Sequence, residues 1–389
     1  MSDARLATDL LINAIALAAV IAALAALAGP RRGGSAVAAR LATLYRGLAL
    51  LLVARLIAWP MPDTIAAVPL MMVAAWLPLL ALWLAEHLVR RHARRPVKWL
   101  ALGGAIGFSV AALLIGPFWG SGVLIALALF QAVATAAAIL LLVRREPGDL
   151  APAEAREANV FALALLLAIP LAASDFTAIL PGLPVRGGAF AILLLVLATS
   201  RFANGAGSVA MLLADCTLVL AGGGLVAAGA ALLLPEATIE ALARLAAIGS
   251  ATAAMVLIAQ RLGEARLLAR ARPSLIAAIA RLPEPADADR LIAAHPLLAS
   301  GRLIEGAALA AYGGAAGRMA ERRVTTQRSA PAGEAGDAAR DLLAAQAASH
   351  LVRLSRDPPR FLAIAAGGAG GGEALADELD MVARLAARA

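Results

Sequence analysis

The sequence predicts an all-α polytopic membrane bundle of about nine transmembrane helices, followed by a small α+β domain. Three observations carry that prediction. First, 62% of the 389 residues are hydrophobic and the mean hydropathy is +0.83. A soluble globular chain holds about 45–50% apolar residues, so the excess has to face lipid. Second, the apolar residues come in runs near the length of about 20 that a helix needs to cross hydrocarbon. Alanine and leucine dominate and aromatics make up 4%, which favours helices over a barrel. Third, the arginines fall between alternate runs.

In chain order the candidate spans are Thr8–Gly29, Leu41–Met61, Thr64–His87, Trp99–Trp119, Gly122–Val143, Ala158–Ser174, Gly187–Ser200, Ser208–Leu234 and Ala241–Gln260. The seventh is short and could begin earlier, near Pro184. Positive charge follows the first, third, fifth, seventh and ninth spans, as in Arg31, Arg32, Arg40, Arg46, the Arg90–Lys98 cluster, Arg144, Arg145, Arg156, Arg201 and Arg261 onward. The other loops carry little, with Arg186 and Arg244 the exceptions. Cytoplasmic loops hold the excess of Lys and Arg, so the expected topology places the N-terminus outside and the C-terminus in the cytoplasm. Trp59, Trp99 and Trp119 sit at span ends, where an aromatic belt is expected.

The formal net charge of +8 raises nucleic acid as a partner, but its placement between apolar runs assigns it to membrane orientation, so no nucleic-acid partner is expected. A single cysteine, Cys216, excludes an internal disulfide and a cysteine-based zinc cluster. The first apolar run is too long for the core of a cleaved signal peptide, and no cleavable signal is expected. No convincing internal repeat appears, which argues against an inverted-repeat transporter.

The expected division is a transmembrane domain over 1–262, a linker helix over 263–285 and a cytoplasmic domain over 286–389. Asp287 is positioned to cap a helix from Ala288. Leu303–Tyr312 and Arg318–Thr326 read as paired strands turning at Gly313-Gly314. Asp337 caps a helix to about Ser349, and Leu351–Ser355 with Phe361–Ala366 form a hairpin around Asp357-Pro358-Pro359. Leu375, Leu379, Val382 and Leu385 give Glu373–Arg388 the spacing of an amphipathic helix, a face suited to a partner.

Ionisable groups at membrane depth are functional suspects. Arg55 lies near the outer end of span two, with Asp9, Asp63 and Asp175 on the same side. Pairing Arg55 with one of these carboxylates would line an outward-facing pocket, so Arg55, Asp63 and Asp175 are the candidate ligand-binding residues; the plain alternative is an arginine snorkelling to head groups. Asp215, Asn13 and Gln131 are the remaining intramembrane polar groups, scattered over different spans and more in keeping with structural roles than with an ion path. Glu86, His87 and His92 lack a third ligand, so no metal site is expected, and no cofactor motif is found. Gly367–Gly372 lacks the Lys-Ser/Thr of a phosphate loop. Gly222-Gly223-Gly224 and Gly229 read as helix-packing positions. No GxSxG, HExxH or paired-cysteine motif is present, so no catalytic residues are expected.

Two features suggest a relationship. Phe361-Leu-Ala-Ile-Ala-Ala, a glycine-rich break and Glu373–Ala389 resemble the closing strand and helix of a GAF domain. The multi-helix region with an Asp-containing outer loop after span six is similar to the membrane input regions of bacterial sensor histidine kinases, in several groups followed by a GAF domain. The kinase phosphoacceptor and ATP boxes are missing. The resemblance implies a non-catalytic sensor or scaffold in a bacterial inner membrane, with a GAF-like cytoplasmic domain that dimerises or contacts a signalling partner. The alternatives are a small-molecule or ion transporter or channel, and an accessory subunit of a larger membrane complex.

Overall fold

The computed structural model describes residues 3–28, 36–61, 67–115, 120–145, 150, 152–176, 179–180, 182–200, 202, 208–271, 275, 288–299, 301–326, 329–346, 348–364 and 373–387. The chain divides into two compact units. The first comprises residues 1–145, 156–202 and 206–264; the second comprises 265–389 with the short segments 146–155 and 203–205.

The first unit is built from α1 (Asp3–Leu27), α2 (Ala36–Ala58), α3 (Ala67–Leu88), α4 (Arg95–Ile115), α5 (Ser121–Val143), α6 (Pro152–Ala173, from residue 156 on), α7 (Gly188–Ser200), α8 (Val209–Leu233) and α9 (Ile239–Ala271, up to residue 264). Eight of these helices are long and apolar enough to cross a membrane, and α7 is the shorter one. The chain is therefore a multi-pass helical membrane protein. Large apolar side chains such as Leu114, Leu220 and Leu225 point outward from the helices, as lipid-facing residues do.

The seventh candidate span forms a helix that is short for a crossing. Helix α7 has 13 residues. At 1.5 Å per residue it reaches about 20 Å, short of a hydrocarbon core of about 30 Å. Twelve of its residues are buried, from Gly188 to Ser200 with Phe190 the exception. A helix apolar all round belongs inside a bundle, and this one packs against α1. It does not extend back to Pro184, because the N–H groups of residues 186, 187 and 188 bond to side chains of other segments.

Helix α3 packs on α2, α4 and α5. Pro78 inside α3 has no N–H to offer the carbonyl of Ala74. The amide of Gln131 on α5 donates to that carbonyl at 2.8 Å. Trp76 Nε1 donates to Ser109 Oγ on α4 at 3.0 Å, and the hydroxyls of Tyr45 on α2 and Thr199 on α7 meet at 2.5 Å. Helices α8 and α9 meet at Gly223 and Gly249. A Cβ on Gly223 would stand 2.5 Å from the carbonyl oxygen of Ala246, and one on Gly249 3.2 Å from Gly223 Cα. Gly224 and Gly229 have open space, so only part of the glycine cluster serves packing.

The second unit holds α10 (Ala288–Ala293), α11 (Pro296–Ala299), β1 (Arg302–Ile304), α12 (Ala307–Ala310), α13 (Gly314–Met319), β2 (Val324–Thr326), α14 (Glu334–Ala345), β3 (His350–Arg356), β4 (Pro359–Ile364) and α15 (Glu373–Ala386). The strands form one antiparallel sheet in the order β1-β4-β3-β2. Alternation along β3 and β4 gives it two buried faces. Leu351, Phe361 and Ala363 face Leu342 and Leu343 of α14 together with Met319. Val352, Leu354, Leu362 and Ile364 face Leu379, Val382 and Ala383 of α15.

The β3–β4 hairpin falls where expected, through a cis Asp357–Pro358 bond. The first expected pair does not form. β1 bonds to β4 and β2 to β3, at opposite edges, and the chain between them makes two short helices. Residues 307–320 are alanine-rich with no β-branched residue, which favours helix over strand. Gly313 takes a φ of 48°, open to glycine at no steric cost, and caps α13 in place of a hairpin turn. Helix α14 is capped at Gly333, one turn before Asp337, which sits in its first turn and pairs with Arg340 at 2.5 Å. The helix ends at Ala345, before Ser349. The apolar stripe of α15 is consumed by its own sheet, so it is not the open partner face that its spacing suggests. Asp287 and Gly367–Gly372 lie outside the described residues.

Candidate functional site

Four helix ends converge on one charged cluster. Arg55 stands one turn before the end of α2, Asp175 follows α6, Asp9 lies in the second turn of α1 and Arg186 precedes α7. Arg55 Nη2 forms an ion pair with Asp175 Oδ2, and both side chains are about nine-tenths buried. Asp175 Oδ1 accepts the Gly188 N–H at 2.8 Å, and Ser174 Oγ accepts the Gly187 N–H at 2.7 Å. Asp9 Oδ1 accepts the Arg186 N–H at 3.2 Å, while Arg186 Nε lies 3.7 Å from Asp9 Oδ2.

Two carboxylates thus occupy the start of α7, where free N–H groups and the helix dipole favour negative charge. Glycine is required at the approach: a Cβ on Gly188 would collide with the Asp175 carboxylate, and one on Gly187 would come within 2.8 Å of the Leu171 carbonyl oxygen. The Trp59 ring lies beside both cations, with the Arg186 guanidinium 4.4 Å and the Arg55 guanidinium 5.6 Å from its centroid. Burial lowers the pKa of Arg186, against the opposing pull of Asp9 and Asp175. Arginine starts high enough that it keeps its charge.

Below this cluster lies a cavity of about 380 Å³. Its walls are apolar, including Leu48, Leu51, Leu77, Leu127 and Ile192, and its polar lining comes from Arg55, Asp175, Arg186, Trp59, Gln131 and Thr135. The volume sits toward the lower end of the range of about 300–1,000 Å³ typical of small-molecule sites, and an apolar wall with a few convergent polar groups is their usual form.

Of the sequence candidates, Arg55 and Asp175 come together at this cavity, and Asp63 lies outside the described residues. Gln131 lines the cavity while its amide serves the Ala74 carbonyl. Asn13 is buried, and its amide donates to the Asp9 carbonyl oxygen one turn back at 2.6 Å. Asp215 is buried away from the cavity lining, with Arg261 of α9 at 3.4 Å. Sequence reasoning missed Arg186 and Trp59 as members of the site. The available signal was that Arg186 broke the charge alternation as the one basic residue of an outer loop that also carries Asp175.

The Glu86 region is a helix-turn-helix clasp. Glu86 Oε1 accepts the Ala93 N–H at 2.7 Å and meets Lys98 Nζ at 2.8 Å, closing the turn from α3 to α4. His87 takes Arg40 Nε at 3.4 Å. His295 and His350 are buried in the second unit. Among the described residues no three His, Cys, Asp or Glu side chains converge on a point that could hold a metal.

No protein-family model, curated protein or solved structure matches this chain. Fold and cavity alone define its class: a multi-pass helical membrane protein with a charge-roofed apolar cavity in its bundle and a sheet-centred second unit.

Proposed function

We propose that the chain is a non-catalytic membrane sensor. A ligand in the bundle cavity is the input, and the second unit is a GAF-like cytoplasmic output domain that contacts a signalling partner. One observation carries this reading: the cavity is roofed by ion pairs that join the ends of α1, α2, α6 and α7. A bound molecule reaching Arg55 bears on four helices at once, a geometry suited to converting occupancy into helix displacement. The antiparallel sheet with helices on both faces supports the GAF-like assignment of the tail. Because the apolar side of α15 is internal, partner contact falls to its outer side, with Asp377, Met381 and Arg384. The arginine distribution supports a cytoplasmic tail in a bacterial inner membrane.

The test is affinity capture of the full-length chain from native membranes after mild solubilisation. A stoichiometric kinase or response regulator supports the sensor; capture as part of a large membrane complex supports an accessory subunit instead. One observation favours a second reading, transport: α7 is a short interior helix whose N-terminus meets buried charge beside a cavity, as in the broken helices of transporters. Saturable solute flux into proteoliposomes that is lost with Arg55→Gln would establish transport and refute the sensor.

A further inference from the structure

Among the described residues the charged roof holds more guanidinium than carboxylate. Arg5 lies four residues before Asp9 on α1, on the same helix face. With it the described part of the cluster holds three guanidinium groups, Arg5, Arg55 and Arg186, and two carboxylates, Asp9 and Asp175. Asp3 is exposed. Donor capacity is also left over: Arg5 Nε and Arg55 Nη1 are buried and donate to nothing among the described residues. A buried guanidinium N–H left without an acceptor is costly, and an anion brought to it removes that cost. Arg55 and Arg186 line the cavity with Asp175 as the carboxylate beside them, so the spare Nη1 donor of Arg55 is presented at the end of an apolar chamber.

We propose that this cavity takes a single-chain anionic amphiphile, a long-chain carboxylate, with its head at Arg55 and its hydrocarbon among Leu48, Leu51, Leu127 and Ile192. The inference rests on reading the cavity as a ligand site. Its size argues for one chain: a two-chain lipid needs more than a chamber of about 380 Å³ at the lower end of the ligand-site range. The apolar wall selects hydrocarbon, and the spare guanidinium N–H selects an oxyanion, which it meets with a charge-assisted hydrogen bond.

The test uses the full-length protein in phosphatidylcholine nanodiscs, with tritiated palmitate followed by scintillation proximity. Unlabelled palmitate, hexadecanol and hexadecyltrimethylammonium are the competitors. Palmitate is expected to displace the label saturably, hexadecanol at least about tenfold less well, and the cationic amphiphile not at all. Ala132→Phe, which fills the cavity away from the roof, should abolish binding, and Arg55→Gln should weaken it at least about tenfold while Arg55→Lys holds most of it. Equal competition by hexadecanol overturns the anion preference and leaves the ligand site standing. Displaceable binding untouched by Ala132→Phe, or no displaceable binding of any amphiphile, overturns both. If Arg55→Gln does not fold, the competitor series and Ala132→Phe still decide.

Discussion

Replacing Asp175 with alanine should be among the most damaging single changes in the bundle. Its carboxylate has two duties: it pairs with the buried guanidinium of Arg55, and it caps α7 through the Gly188 N–H at 2.8 Å. A hydrogen bond to a charged group contributes about 1.5–3 kcal/mol, and loss of a helix cap costs about 1 kcal/mol. Together they suggest about 2.5–4 kcal/mol, overlapping the ~3–5 kcal/mol for stranding one member of a buried pair. The assay is equilibrium unfolding in mixed micelles, run as a double-mutant cycle with Arg55→Met. Asp175→Asn, which keeps an acceptor for Gly188, should lose less than alanine. The double mutant should be more stable than the sum of the singles implies, by about 1–3 kcal/mol, because Arg55 is no longer left buried without its carboxylate. Additive losses, or an Asp175→Ala cost below about 0.5 kcal/mol, would refute the ion pair as the lock between α2 and α7.

Three further tests address other joints. Gln131→Leu should destabilise by about 1–3 kcal/mol by orphaning the Ala74 carbonyl, and Pro78→Ala added to it should recover much of that loss, because α3 then supplies its own N–H; unfolding in micelles reads both. Gly223→Ala should loosen the α8–α9 hairpin, while Gly224→Ala should be neutral or stabilising by up to about 1 kcal/mol, a contrast measured by cysteine cross-linking between the helices and by thermal melting. Val382→Asp buries a charge under the sheet and should make residues 286–389 sensitive to limited proteolysis, whereas Met381→Asp on the exposed side should not.

The eight long helices were legible because length and hydropathy are local properties. So was the neighbourhood of Arg55 and Asp175, since alternating spans place the end of the second and the end of the sixth on one side. The setting of helix α7 was not, because a largely apolar run of 13 residues looks the same whether lipid or protein surrounds it. Gln131 was visible as a polar group and Pro78 as a helix breaker, but that one answers the other is a fact of tertiary packing. In the second unit the β3–β4 hairpin was readable from its turn. The partners of β1 and β2 are distant in sequence, and three-residue strands carry too little alternation to announce them.

The bond from Gln131 to Ala74 has a bearing on biogenesis. Helix α3 leaves the ribosome before α5, so it enters the bilayer with a carbonyl that its own proline has stripped of a partner. Hydrocarbon offers nothing in exchange, so α3 gains by staying close to the translocon or to water until α5 follows. Order of insertion is thereby written into the pair: the earlier segment waits, and the later one releases it.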